Sequence, residues 1–185
     1  MINLEQLHQC KEAFAFYSQH LSYPEQVDSP SLFFEENDPG YELACAYWQL
    51  VKDDSLDERQ ERYTETFDFQ KEAALYMTYA KLEDSKERGQ MLARLKVLYE
   101  MFGLDMPKGE LSDFLPLMCE FIYAAEWLGD ERAPESFAML FAVIEDGTYH
   151  VLEALKEEDS PYYYLIKSLR ETMKDCVIAE EVELT

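Results

Sequence analysis

Six glycines in 185 residues leave few places for a loop that cradles phosphate, and the sequence contains no GxGxxG, no P-loop lysine motif and no GxSxG. Nothing argues for nucleotide binding or for acyl transfer. Positive charge is scarce too, because 16 Lys and Arg stand against 39 Asp and Glu, for a formal net charge of -23. A chain so acidic is repelled by nucleic-acid backbones and by anionic membrane surfaces, so its partners are expected to be cationic or neutral. The imbalance is uneven: Lys11 is the only Lys or Arg before residue 51, and between Glu110 and Asp159 only Arg132 and Lys156 interrupt the acids.

The four cysteines, Cys10, Cys45, Cys119 and Cys176, form no CxxC pair and sit among apolar neighbours, so they read as buried thiols and not as a disulfide or metal set. His8 and Cys10 are two residues apart and point away from each other on a helix, which removes the nearest zinc candidate. No metal or cofactor is expected. No apolar run reaches the ~18 residues of a membrane span, and MINLEQLHQCKEAF has neither a basic start nor an apolar signal core, so the expected location is the cytoplasm.

What is present is apolar surface at helical spacing. Hydrophobic residues make up 48% and aromatics 14%, enough to offset the entropy of ordering that keeps acidic, apolar-poor chains unfolded. Leu4, Leu7, Phe14, Tyr17 and Leu21 form one stripe; Ala44, Tyr47, Trp48 and Val51 form another after a connector from Pro24 to Pro39. Period-2 alternation is nearly absent. The expected architecture is all-α, one domain over residues 1–185 built as a bundle of about seven to nine helices, with an acidic tail from 178 to 185 that frays.

Local signals set the boundaries. Ser55 with Glu58 makes a capping box, Gly103 ends the stripe from Met91 to Phe102, and Ser160-Pro161 starts a last helix. Pro116 belongs in a first turn, which dates its helix to Ser112 or Asp113; Gly147 is expected to bend or break the helix opened by Ala133 and Pro134. Asp68 is expected to cap a helix through DFQKEAALYMTYAKL that is apolar on most sides and lies in the middle of the bundle.

On such a helix Asp68, Glu72, Leu75, Tyr76 and Tyr79 share one face, and on the next Asp113, Leu117 and Glu120 share another, with Phe121 beside them. Carboxylates that run into aromatics make a groove for a peptide basic at one end and apolar beyond it. The plain alternative is that Asp68 caps, Glu72 is solvated and the tyrosines pack with their hydroxyls bonded.

These stretches carry a resemblance. Glu65-Thr66-Phe67-Asp68, Leu75-Tyr76-Met77-Thr78-Tyr79, Arg88-Gly89 with Leu95-Lys96-Tyr99, and Glu110-Leu111-Ser112-Asp113 with Leu115-Pro116 resemble the NarJ family, over roughly residues 5 to 160. The resemblance implies a TorD-like helical chaperone, not an enzyme, that holds the N-terminal peptide of the nitrate reductase catalytic (alpha) subunit during molybdenum cofactor insertion. It extends the peptide-binding set to Tyr63, Phe67, Asp68, Glu72, Leu75, Tyr76, Tyr79, Tyr99, Asp113, Leu117, Glu120 and Phe121. The chain departs from the wider superfamily, which has an Asp-His pair where Ser112, Asp113 and Phe114 stand, so no role of that histidine carries over. A monomer is expected, with a dimer as the alternative state. The competing readings are a chaperone for another molybdoenzyme and an acidic helical adaptor without a groove.

Overall fold

The computed structural model describes residues 1–156 and 159–178, and over these the apolar stripes become α-helices. They are α1 (Leu4–Gln9), α2 (Lys11–Leu21), α3 (Tyr41–Val51), α4 (Leu56–Tyr63), α5 (Tyr79–Leu82), α6 (Lys86–Met101), α7 (Leu115–Ala124), α8 (Ala133–Leu155) and α9 (Pro161–Asp175). The described residues contain no strand, only the isolated bridges Ile2↔Val177 and Tyr76↔Phe114. The all-α expectation is met. None of the described helices is long and apolar enough to cross a membrane.

Helix α7 lies at the centre. Leu115, Pro116, Leu117, Met118, Cys119, Phe121 and Ile122 are all buried, because the helix packs on α2 along one side and on α8 along another. Each large side chain withdrawn from water there contributes about 1.5–3 kcal/mol. Helix α9 closes the bundle against α3 and α8. Phe14, Phe16 and Tyr17 of α2 complete the core with Phe137 and Leu140 of α8 and Leu165 and Leu169 of α9.

Several boundary signals act as read. Ser55 and Glu58 exchange side-chain-to-backbone bonds at 3.2 and 2.7 Å, Ser160 Oγ accepts from the Tyr162 N–H, and Gly103 takes φ 81° beyond the end of α6. Pro116 sits in the first turn of α7, but that turn starts at Leu115. Neither expected cap is free to act: Ser112 Oγ donates to the Leu92 carbonyl at 2.6 Å, and the Asp113 carboxylate is turned inward. Ile178, expected to fray, donates its N–H to the Met1 carbonyl at 2.9 Å; residues 179–185 lie outside those described.

The largest correction concerns DFQKEAALYMTYAKL. It forms no continuous helix: a wide π-helical turn spans Thr64–Asp68, a 3-10 turn spans Lys71–Ala73, and only Tyr79–Leu82 is α-helical. Between Ala73 and Tyr79 a short non-helical stretch pairs with the chain leading into α7. The Met77 N–H donates to the Asp113 carbonyl at 2.9 Å and the Leu115 N–H to the Leu75 carbonyl at 2.8 Å, while Leu75 and Met77 are buried. These tertiary bonds and buried side chains outweigh a helix propensity worth a few tenths of a kcal/mol per residue. The central, nearly all-apolar helix is α7 instead.

Gly147 serves this crossing. Helix α8 runs unbroken through it, contrary to expectation, and a Cβ there would lie 2.6 Å from Met77 Cα. The glycine lets this strap, residues 74–78, lie directly on the helix. Cys45 departs from the reading of four buried thiols, being only partly covered.

Candidate functional site

The bridge between Tyr76 and Phe114 brings their rings together, with centroids 5.3 Å apart. Both rings are half-buried. The Tyr76 hydroxyl donates to Glu110 Oε1 at 3.1 Å, and the same oxygen accepts from the Leu111 N–H at 2.9 Å. Burial pushes the Tyr76 phenol up to about 12, and the carboxylates of Glu110, Asp113 and Asp68 push in the same direction. The Tyr63 phenol is raised too, first by burial and then by Tyr162, with Asp68 and Glu110 among the lesser causes. Asp68 and Glu110 therefore act on one shared aromatic region.

Asp68 and Glu72 are exposed, and Phe69 between them is 78% exposed. Among the described residues neither acid has a hydrogen-bond or ion-pair partner, and Leu111 adds an exposed apolar side chain next to Glu110. Glu110 and Asp68 thus give the Tyr76–Phe114 surface an acidic border. Such a surface can accept guanidinium or ammonium groups at its edge and apolar side chains across its rings.

Asp113 lies beneath it and is 0% exposed. Its Oδ2 accepts from the Thr78 N–H at 3.1 Å, from Thr78 Oγ1 at 2.6 Å and from Arg88 Nη2 at 3.4 Å; Oδ1 is buried without a hydrogen-bond partner. Arg88 also donates from Nε to Thr78 Oγ1 at 3.1 Å and lies over the Tyr79 ring at 5.2 Å. This carboxylate already has its arginine. It joins the strap, α6 and the start of α7.

The other sequence-predicted residues divide by depth. Tyr63, Phe67, Leu75, Tyr99, Leu117 and Phe121 are core residues. Tyr63 donates to the Leu21 carbonyl at 2.8 Å, Phe67 packs on Tyr162 with centroids 4.6 Å apart, and Tyr99 donates to the Ser112 carbonyl at 2.6 Å while meeting Phe121 at 5.0 Å. Tyr79 is half-buried between Lys71 and Arg88. Glu120 is the exposed residue in the buried run of α7, and nothing described pairs with it. The helical face Asp68–Glu72–Leu75–Tyr76–Tyr79 does not exist as such, since the helix that would align it does not form.

Sequence reasoning omitted Glu110, Phe114 and Phe69 from the set. Glu110 and Phe114 flank Asp113 in the stretch ELSDF, and a pairing between the two recognised segments was the signal that would have included them. Two clefts open elsewhere, one of about 370 Å³ between α6 and α8 and one of about 600 Å³ between α8, α9 and residues 1–2. Neither is lined by a sequence-predicted site residue. No group of acids, cysteines and histidines among the described residues could hold a metal ion.

Comparison with known proteins bears on the same segments. The sequence pattern of the nitrate reductase delta subunit matches residues 35–165, which contain the strap, α6 and α7. Over 123 residues, 66% of this chain, the sequence is 35% identical to the probable nitrate reductase molybdenum cofactor assembly chaperone NarJ of Bacillus subtilis (strain 168), 63% of which is covered. It is 29% identical over 115 residues, 60% of this chain, to the probable assembly chaperone NarW of Escherichia coli (strain K12), 46% of which is covered. It is also 29% identical over 111 residues to the nitrate reductase-like protein NarX of Mycobacterium tuberculosis (strain ATCC 25618 / H37Rv), of which the match takes in 16%. The chain thus spans less than two thirds of the length of these curated relatives. With the family pattern running through most of its length and through every segment that builds the acid-bordered aromatic surface, the chain belongs to the nitrate reductase delta subunit family.

Proposed function

We propose that this chain is a cytoplasmic assembly chaperone, without catalytic activity of its own, that binds the N-terminal segment of a nitrate reductase catalytic subunit and holds it while the molybdenum cofactor is inserted. One observation carries the reading of the site: the half-buried Tyr76–Phe114 pair, bordered by Glu110 and acted on by the Asp68 carboxylate. A segment with arginines next to an apolar stretch matches that border and that surface. Asp68, Glu72, Tyr76, Tyr79 and Glu120 are its contacts by exposure, and Tyr63, Phe67, Leu75, Tyr99, Asp113, Leu117 and Phe121 act from beneath by fixing the strap and α7. The net charge of -23 draws a basic segment toward the surface before contact. The chaperone acts as one domain and as a monomer. Names of the relatives support the client class, since two of them are called nitrate reductase molybdenum cofactor assembly chaperones.

The test is co-purification of the tagged chain with the catalytic subunit, intact or lacking its N-terminal segment, when both are expressed together. Retention of the intact subunit and loss of the truncated one is the expected result. Equal retention of both forms would overturn the peptide assignment, and retention of neither would overturn the chaperone reading.

A further inference from the structure

Cys10 heads α2, and Cys176 follows the last turn of α9. They are far apart in sequence, yet their sulfurs lie 3.7 Å apart in a site where Cys10 is 7% and Cys176 0% exposed. Backbone pairing holds the two segments together. The Asn3 N–H donates to the Cys176 carbonyl at 2.7 Å, the Ile178 N–H to the Met1 carbonyl at 2.9 Å, and Gln6 Nε2 reaches Asp175 Oδ2 at 2.9 Å.

We propose that Cys10 and Cys176 form a reversible disulfide, made by a hydroperoxide, that locks the α1–α2 junction to the end of α9. The sulfurs must close to about 2 Å, a small movement for two side chains on segments already paired. Either sulfur can donate to the other, and each also reaches a backbone carbonyl, Leu7 for Cys10 at 3.5 Å and Thr172 for Cys176 at 3.4 Å. Cys10 is the attacking group because it is the more exposed of the two, 7% against 0%, and a Cys176 thiol turned toward it lowers it from the usual thiol range.

The balance closes with a peroxide as oxidant. The Cys10 thiolate attacks one peroxide oxygen, the O–O bond breaks, and the leaving hydroxide takes a proton to become water. The Cys176 sulfur then attacks the sulfenic sulfur of Cys10, the S–O bond breaks as the S–S bond forms, and the hydroxide leaves with the Cys176 proton as a second water. Two electrons pass from the thiol pair to the peroxide. Cys119 lies fully buried in α7 with its thiol pushed up by burial, and Cys45 has no sulfur beside it, so neither competes.

Ile2, Met173 and Val177 at this clasp also wall the cleft of about 600 Å³, so the cross-link fastens that wall. Treating the reduced full-length chain with hydrogen peroxide should lower its free thiols from four to two, remove two hydrogens from its mass, join the Cys10 and Cys176 peptides in a digest, and raise the melting temperature. Dithiothreitol should reverse all four changes. Cys176→Ser should lose the cross-link and the thermal shift, and Cys45→Ser should keep both. Four free thiols after peroxide treatment, added oxygen at Cys10 without a cross-link in the wild-type chain, or a disulfide between two chains would overturn the proposal.

Discussion

At Asp113 a carboxylate read from sequence as a contact for a client arginine is instead bonded to Thr78 and to Arg88, with no exposure to solvent. Removing its charge leaves Arg88 without its buried partner, so Asp113→Asn should cost about 3–5 kcal/mol of stability, read in urea unfolding. Glu120→Gln is the contrast. Its side chain is exposed and unpaired among the described residues, so its stability should stay within about 0.5 kcal/mol of wild type. A Glu120→Gln protein that unfolds as readily as Asp113→Asn would show that α7 is oriented otherwise. His20 carries a pH prediction. Its Nε2 faces the Asp28 carbonyl at 2.8 Å and must donate, so Nδ1 accepts from Tyr47 OH at 3.1 Å and the ring is neutral. Burial drops it to about 4, below the unfolded value near 6.5. Below pH ~6.5 the unfolded chain takes up a proton that the folded chain refuses, so this contribution is complete above that pH and is lost on the way to 4. The loss is about 3 kcal/mol over the interval, and it should be absent from His20→Gln when both proteins are melted across that range.

At the scale of elements, two glycines in helices separate a packing role from a propensity effect. Gly89 in α6 is exposed and a Cβ there meets nothing within 4 Å, so Gly89→Ala should stabilise by up to ~1 kcal/mol. Gly147 in α8 supports the strap, and its Cβ would overlap the Met77 backbone, so Gly147→Ala should destabilise by about 1–3 kcal/mol despite the better helix former. Equal and favourable effects on thermal melting would contradict the crossing of strap and helix. The same strap marks where sequence reading stops. Capping at Ser55 and Ser160, the glycine beyond α6 and the proline in the first turn of α7 are local signals, and each acts within a few residues of itself. The segment from Asp68 to Leu82 has equally strong local signals for a helix, but Leu75 and Met77 bond to backbone at Asp113 and Leu115. That pairing spans some forty residues of sequence, and no window along the chain contains both halves. The site was legible to the same degree: its segments and its acid-aromatic chemistry were visible, whereas the depth of each side chain depended on the unread crossing. For this reason Tyr99, Leu117 and Phe121 lie in the core, and Glu110 and Phe114 stand at the surface in their place.

For the molecule as a whole, the net charge of -23 acts through the long-range field and the bordering acids act at contact. Both weaken with salt, over a screening length of ~8 Å at physiological ionic strength, while apolar contacts on Tyr76 and Phe114 persist. Client affinity should therefore fall with salt toward a finite plateau. The most direct measurement is the dissociation constant of a labelled peptide from the N-terminus of the catalytic subunit, titrated at low and high salt against wild type and against an Asp68→Asn, Glu110→Gln double variant. The double variant should keep its helical circular dichroism, bind about tenfold more weakly at low salt, as expected for ~1.4 kcal/mol of lost charge-assisted bonding, and show a shallower salt dependence. A folded double variant with the affinity and the salt dependence of wild type would contradict recognition by these acids.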